Sequence, residues 1–268
     1  MMFPISYCRF QHQNVTRYGL IENVHGDATI TRTLARSPNS FADFERGDKA
    51  GIALSAFRLL APVEPSKVVC IGRNYREHAK ELNHPIPTEP LFFLKPPSSV
   101  IGPVDEIRRP NLLSQRVDHE GELGVVIGRP CYRLRASDDV RPYILGYTCI
   151  NDVTARDLQE KDGQWTRAKG FDTFCPVGPV VVEALDPWKG VGVQTRVNGH
   201  VRQSGTTVDF LFPLDVLIRF ISGVMTLNPG DLIATGTPAG VGPLQVGDTV
   251  EVTVEGVGTL TNSVVNLD

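Results

Sequence analysis

Apolar and polar residues along the 268-residue chain alternate in short runs far more often than they recur at helical spacing, a pattern that predicts strands. Residues 18–22 and 28–34 alternate in this way between turn residues, so residues 1 to about 60 read as a small β-rich appendage. Two prolines in residues 61–66 mark a junction with the remainder, residues 61–268. Residues 67–72 then form a short β-branched run suited to a buried strand. In residues 73–82 the pattern changes: Asn74 is placed to cap a short helix on which His78, Glu81 and Leu82 share a face. Residues 91–94, 120–127 and 143–150 are again strand-like. The dipeptide Asn198-Gly199 predicts a two-residue type I′ hairpin turn, because both positions need φ > 0. Pro213 followed by Leu214, Leu217, Ile218 and Ile221 predicts the longest helix, ending at Gly223 or at the Asn228-Pro229-Gly230 turn. Residues 231–236 and 249–254 return to strands. Many strands, few helices and no regular βαβ alternation predict an α+β, β-rich fold.

Composition narrows the function classes. Lys and Arg number 27 against 30 Asp and Glu, a net charge of −3 without a basic run, which speaks against a nucleic-acid partner and for a small molecule. The 25 glycines and 20 prolines exceed average usage and predict tight turns and close backbone approaches. Neither a signal peptide nor an apolar run of membrane-spanning length stands out, so a soluble cytoplasmic protein without a membrane partner is expected. The five cysteines are scattered and never form C-x-x-C, which fits reduced thiols better than a disulfide or zinc framework.

Phosphate-loop, dinucleotide-fold and nucleophile-elbow motifs are missing, and His119-Glu120 lacks the second histidine of H-E-x-x-H, where Leu123 stands. Glu120 and Glu122 flank Gly121, and the two-residue period of a strand puts both carboxylates on one face. Spacing alone leaves two readings: solvent-facing acids of an edge strand, or ligands. The apolar continuation 123–127 favours the second, because buried carboxylates must be paired or metal-bound. Asp152 ends another apolar strand, either as a cap for residues 154 onward or as a third ligand. Three oxygen donors would select a hard cation, Mg²⁺ or Mn²⁺. His78 and Glu81, one helical turn apart, form either an exposed pair or an acid–base dyad. Lys169, between an aromatic and a glycine, is either a surface lysine or an electrophile for a developing oxyanion.

Five blocks occur in order: Gly72-Arg-Asn-Tyr-Arg-Glu-His78, His119-Glu-Gly-Glu-Leu-Gly-Val-Val126, Asn151-Asp-Val-Thr-Ala-Arg-Asp-Leu-Gln159, Trp165-Thr-Arg-Ala-Lys169 and Thr235-Gly-Thr-Pro-Ala-Gly-Val-Gly242. Together they strongly resemble the fumarylacetoacetate hydrolase family, from about residue 66 to the C-terminus. The resemblance implies that family's mixed β-sheet roll with a small N-terminal β-rich domain, and a homodimer. It also implies Glu120, Glu122 and Asp152 as Mg²⁺ or Mn²⁺ ligands and His78 with Glu81 as a water-activating dyad on a lid. Lys169 would stabilise an oxyanion, and Arg156, Gln159 and Thr237 would hold the 2-oxocarboxylate end of the substrate. The implied activity is metal-dependent C–C cleavage of a small 2-oxo acid, by acylpyruvate-type hydrolysis or by decarboxylation. The alternatives are a 2-hydroxyhepta-2,4-diene-1,7-dioate-type isomerase, a 2-oxo-4-pentenoate-type hydratase and a catalytically idle metal-binding scaffold. The lid pair Arg76-Glu77 departs from the family pattern, which leaves the choice of substrate, rather than the catalysis, open.

Overall fold

The computed structural model describes residues 5–24, 27–83 and 85–267. The chain builds an α+β fold dominated by a twelve-stranded sheet. From one edge its main path runs Asp48–Ala53, Asp27–Leu34, Val15–Val24, Ser6–His12, Cys175–Val182, Ile144–Asn151, Gly121–Ile127, Leu232–Ala234, Val68–Gly72 and Leu91–Lys95. The first sixty residues are β-rich as expected. They join the rest through Ser6–His12, whose Ser6 and Tyr7 stand opposite Val182 and Val181. Tyr7 is fully buried there against Phe41 and Phe44, with ring centroids 5.5 and 5.9 Å away.

A five-stranded sheet, ordered His200–Thr206, Gly192–Val197, Thr249–Val254, Gly258–Asn266 and Glu106–Arg109, packs on the centre of the large one. Val193, Val252, Val254 and Leu260 from it share a core with Leu123, Val125, Cys149 and Val180. Burial of such alternating inner-face residues from two sheets is the main favourable term in the fold. The two layers approach closely at Gly121, where a Cβ would strike the Thr195 hydroxyl and stand 3.2 Å from the Val252 methyls.

The helices are short: α1 (Arg76–Glu81), α2 (Arg156–Asp162), α3 (Thr166–Lys169) and α4 (Leu214–Val224). In α4 the stripe Leu214, Leu217, Ile218 and Ile221 is buried, and the helix stops just after Gly223, as the spacing predicts. Asn198 and Gly199 take φ of 52° and 76° in the predicted hairpin. The five cysteines are free and buried. No helix is long and apolar enough to cross a membrane among the described residues.

One expectation fails at the start of α1. Tyr75, not Asn74, holds the cap position, and it makes no side-chain cap. Asn74 is fully buried and is drawn away by stronger long-range partners. Its amide donates to Thr235 O at 2.8 Å and Phe212 O at 3.2 Å, and its Oδ1 accepts from Phe212 N at 2.9 Å. These bonds tie the base of α1 to the glycine-rich loop through Thr235 and to the segment before α4 through Phe212, and they satisfy three backbone groups, more than a cap would.

Candidate active site

Two neighbouring antiparallel strands deliver the acidic centre. Gly121–Ile127 pairs with Ile144–Asn151 so that Gly121 stands opposite Asn151, and Asp152 N donates to Glu120 O at 2.8 Å just beyond the last pair. Glu120 and Glu122, two residues apart, therefore meet Asp152 at the end of the adjacent strand. One oxygen from each of the three lies within 4.8 Å of the others, and all three side chains are buried. Asp152 caps nothing: α2 begins only at Arg156, and its carboxylate is taken by Lys95 Nζ on Oδ1 and Lys169 Nζ on Oδ2, both at 2.7 Å.

The three carboxylates are not electrostatically equal. Burial opposes ionisation of Glu120, but Lys169 at 2.8 Å and Arg156 outweigh it and hold the carboxyl well below its usual range. For Glu122 burial, then the charges of Asp152 and Glu120, push the carboxyl well above its usual range. It accepts the Gly236 N–H at 2.7 Å and has no ion-pair partner among the described residues. Such an uncompensated buried carboxylate beside two others is what a divalent cation would neutralise, and an all-oxygen donor set suits Mg²⁺ or Mn²⁺. The residues present thus fit the ion that the family resemblance implies.

His78 and Glu81 come together on α1, with His78 Nδ1 3.3 Å from Glu81 Oε2. The Glu81 carboxylate also accepts the Gly240 N–H at 3.0 and 3.2 Å, which docks α1 onto the glycine-rich loop. Burial pushes the Glu81 carboxyl up, yet the hydrogen bonds from His78 and Gly240 leave it below its usual value. His78 faces a narrow cleft, part of it open to solvent, which is also lined by Glu120, Glu122, Asp152, Arg156, Gln159, Lys169 and Thr237. Glu81 stands behind His78 and does not line the cleft. Arg76 and Glu77 are exposed and also outside it, with Glu77 engaged by Lys80 at 2.7 Å.

Several supporting residues escaped the sequence reading. Buried Lys95, the last residue of its strand, grips Asp152 and Val153 O. Asp118 accepts from Arg156 Nε at 3.0 Å and fixes the guanidinium whose other nitrogens reach Glu120 and Gln159. Gln203 binds His119 Nδ1, Gly121 N, Thr237 Oγ1 and Pro238 O, between 2.6 and 3.0 Å. Thr237 in turn donates to Gly121 O at 2.9 Å. Asp118 sits inside the acidic motif and was legible there; a lysine ending an apolar strand was the signal for Lys95.

Residues 67–265 match the family profile described as "Fumarylacetoacetate (FAA) hydrolase C-terminal". An uncharacterized protein of Archaeoglobus fulgidus is 55% identical over 217 residues, 81% of this chain and 86% of that protein. Oxaloacetate tautomerase YisK of Bacillus subtilis is 42% identical over 79% of this chain and 74% of its own length. A crystal structure of 2-hydroxyhepta-2,4-diene-1,7-dioate isomerase from Mycobacterium marinum superimposes with a TM-score of 0.87 at 44% identity, covering 98% of this chain and 99% of that one. Fold and site together define an enzyme of small-molecule metabolism built on a mixed β-sheet roll. The chain belongs to the fumarylacetoacetate hydrolase family.

Proposed function

We propose that this protein is a divalent-metal-dependent enzyme that takes a small 2-oxo acid through its enolate. Tautomerisation or isomerisation is the simplest outcome, and C–C bond cleavage follows where the distal group can leave. The observation that carries this reading is the convergence of Glu120, Glu122, Asp152 and His78 on one cleft. The three carboxylates would hold Mg²⁺ or Mn²⁺, which when bound supplies Lewis-acid polarisation of the 2-oxo carbonyl. The relatives named as an oxaloacetate tautomerase and a dienedioate isomerase support the same class of chemistry.

The protein's own groups do the rest. Arg156 gives Asp118, Gln159 and Glu120 one N–H each, which leaves two of its five donors for the substrate carboxylate beside Gln159 and Thr237. Lys169, locked between Glu120 and Asp152, helps hold the Glu120 carboxyl below its usual range and places a positive charge beside the developing oxyanion. With Nδ1 held by Glu81, the His78 imidazole takes a proton from carbon 3 through Nε2, and the electron pair spreads onto the 2-oxo oxygen. The imidazolium then returns the proton to oxygen or carbon. In the cleaving version the same nitrogen deprotonates a water that adds to a distal carbonyl. The bond to carbon 3 then breaks and its electron pair becomes the enolate. The family resemblance also supports a homodimer and residues 61–268 as the catalytic unit, and five free, buried cysteines fit a cytoplasmic location. Light scattering at twice the 29.4 kDa protomer mass would confirm the dimer.

The test follows enol absorbance and carbon-3 deuterium exchange of oxaloacetate, and cleavage of acetylpyruvate, with Mg²⁺, Mn²⁺ or EDTA. Metal-dependent enol–keto conversion is expected, falling roughly 10²–10⁴-fold in His78→Ala. Full rates in EDTA, or in His78→Ala, would overturn the mechanism. Metal binding with no turnover would identify an idle scaffold, and hydration of a C=C bond would identify a hydratase.

A further inference from the structure

One cation on the cleft wall has no part in the chemistry above. Arg73 lines the same cleft as His78 and the three carboxylates, yet it makes no ion pair and no side-chain hydrogen bond among the described residues. Its Nε is buried without a partner. The other cations of the cleft wall are committed: Arg156 to Asp118, Glu120 and Gln159, and Lys169 to Glu120 and Asp152. A half-buried guanidinium with none of its five donors spent on the described residues is short of acceptors, and its buried, unpaired Nε–H costs free energy until one is supplied.

The wall is built to hold that group still. Arg73 adopts φ of 59°, a left-handed backbone conformation that non-glycine residues rarely take, and it keeps this turn because Asn74 is sewn to the glycine-rich loop. Its guanidinium carbon stands 5.8 Å from the centroid of the Trp165 ring. Gly72 leaves the space into which Trp165 packs, since a Cβ there would come within 2.8 Å of the indole. Phe93 packs against Trp165 in a T-shaped arrangement with ring centroids 5.2 Å apart. A planar cation set over an aromatic face loses less freedom when it grips a carboxylate in a two-pronged fashion.

We propose that Arg73 receives a second carboxylate, at the end of the substrate away from the 2-oxo acid head, and so selects 2-oxo dicarboxylates. The inference rests on the reading that this cleft holds a 2-oxo acid head at the acidic centre. It assigns substrate selection, which the departure at Arg76-Glu77 left open, to a residue of the cleft wall.

Calorimetric titration of the Mn²⁺-loaded enzyme tests it with three probes: oxalate, which has no distal group; 2-oxo diacids of four, five and six carbons; and the 2-oxo monoacids of the same lengths. In the wild type, the diacid of fitting length should bind at least about tenfold tighter than its monoacid. Arg73→Met should bring that preference to within about twofold while oxalate affinity stays within about twofold, and Arg73→Lys should keep part of the preference. Arg73→Gln, which retains a hydrogen-bonding end, serves if Arg73→Met fails to fold, and it too should lose the preference. Normal oxalate binding with no diacid preference in the wild type, or a preference that survives in Arg73→Met or Arg73→Gln, would overturn the role of Arg73 alone. Failure of the wild type to bind oxalate would overturn the underlying reading of the cleft, and this inference with it.

Discussion

Replacing Lys95 by methionine removes one charge and almost no volume. Lys95 Nζ lies 2.7 Å from Asp152 Oδ1 and 3.0 Å from Val153 O, and both side chains of the ion pair are essentially sealed from solvent. Removing one partner of a buried pair typically costs about 3–5 kcal/mol, because the other charge stays buried without compensation. Asp152 keeps Lys169 on its second oxygen, which places Lys95→Met at the lower end, about 3 kcal/mol. For a chain of this size that corresponds to a fall in Tm of roughly 6–12 °C. Thermal unfolding in EDTA followed by circular dichroism is the direct assay. Saturating Mn²⁺ should recover part of the loss by restoring positive charge beside Asp152. Adding Asp152→Asn should remove much of the penalty, since the orphaned charge is then gone. A Tm within roughly 2 °C of wild type in EDTA would refute the reasoning. It would mean that the cost of drying the two charges already cancels their attraction.

Two further outcomes follow from the same electrostatics. Glu122 has no ion-pair partner among the described residues, so in EDTA at pH 7 Glu122→Gln should unfold at or above the wild-type temperature, by up to about 1–2 kcal/mol of added stability. The same variant should lose the Mn²⁺-induced rise in Tm; a variant less stable than wild type in EDTA would contradict this account of Glu122. The Glu81 carboxyl lies below its usual value of 4.5 in the folded protein, so its stabilising contribution is full above that pH and is lost as pH falls through the folded-state value. Urea unfolding should therefore show the advantage of wild type over Glu81→Gln shrinking below about pH 4.5, and an advantage that grew on acidification would count against the dyad geometry.

Period-two spacing put Glu120 and Glu122 on one side and left open whether they faced solvent or a ligand; the structure brings them together and buries both. His78 and Glu81 meet because a single helical turn separates them, and the Asn198-Gly199 turn forms because few other dipeptides tolerate its backbone. The family resemblance then named nine site residues, and eight of them line the cleft while Glu81 backs His78. Local rules misled at Asn74 and left Asp152 undecided. Each has a side chain suited to capping, but each found buried partners far away in sequence that satisfied more hydrogen bonds.

Local periodicity and turn chemistry act over a few residues, which is why the sequence by itself determined the strands, the hairpin, the longest helix and the acidic pair. Only the tertiary structure decided that Ser6–His12 pairs with a strand some 170 positions later, and that Lys95 and Lys169 share Asp152. Only there does Gln203 clamp the glycine-rich loop to Gly121, and only there does Arg73 stand on the cleft wall without an ion-pair or hydrogen-bond partner among the described residues. Those relations join segments whose separation along the chain carries no period, and they are set by burial: charges and amides taken out of water must find partners wherever the sheets bring them. An arginine left without one marks the place where a ligand completes the set.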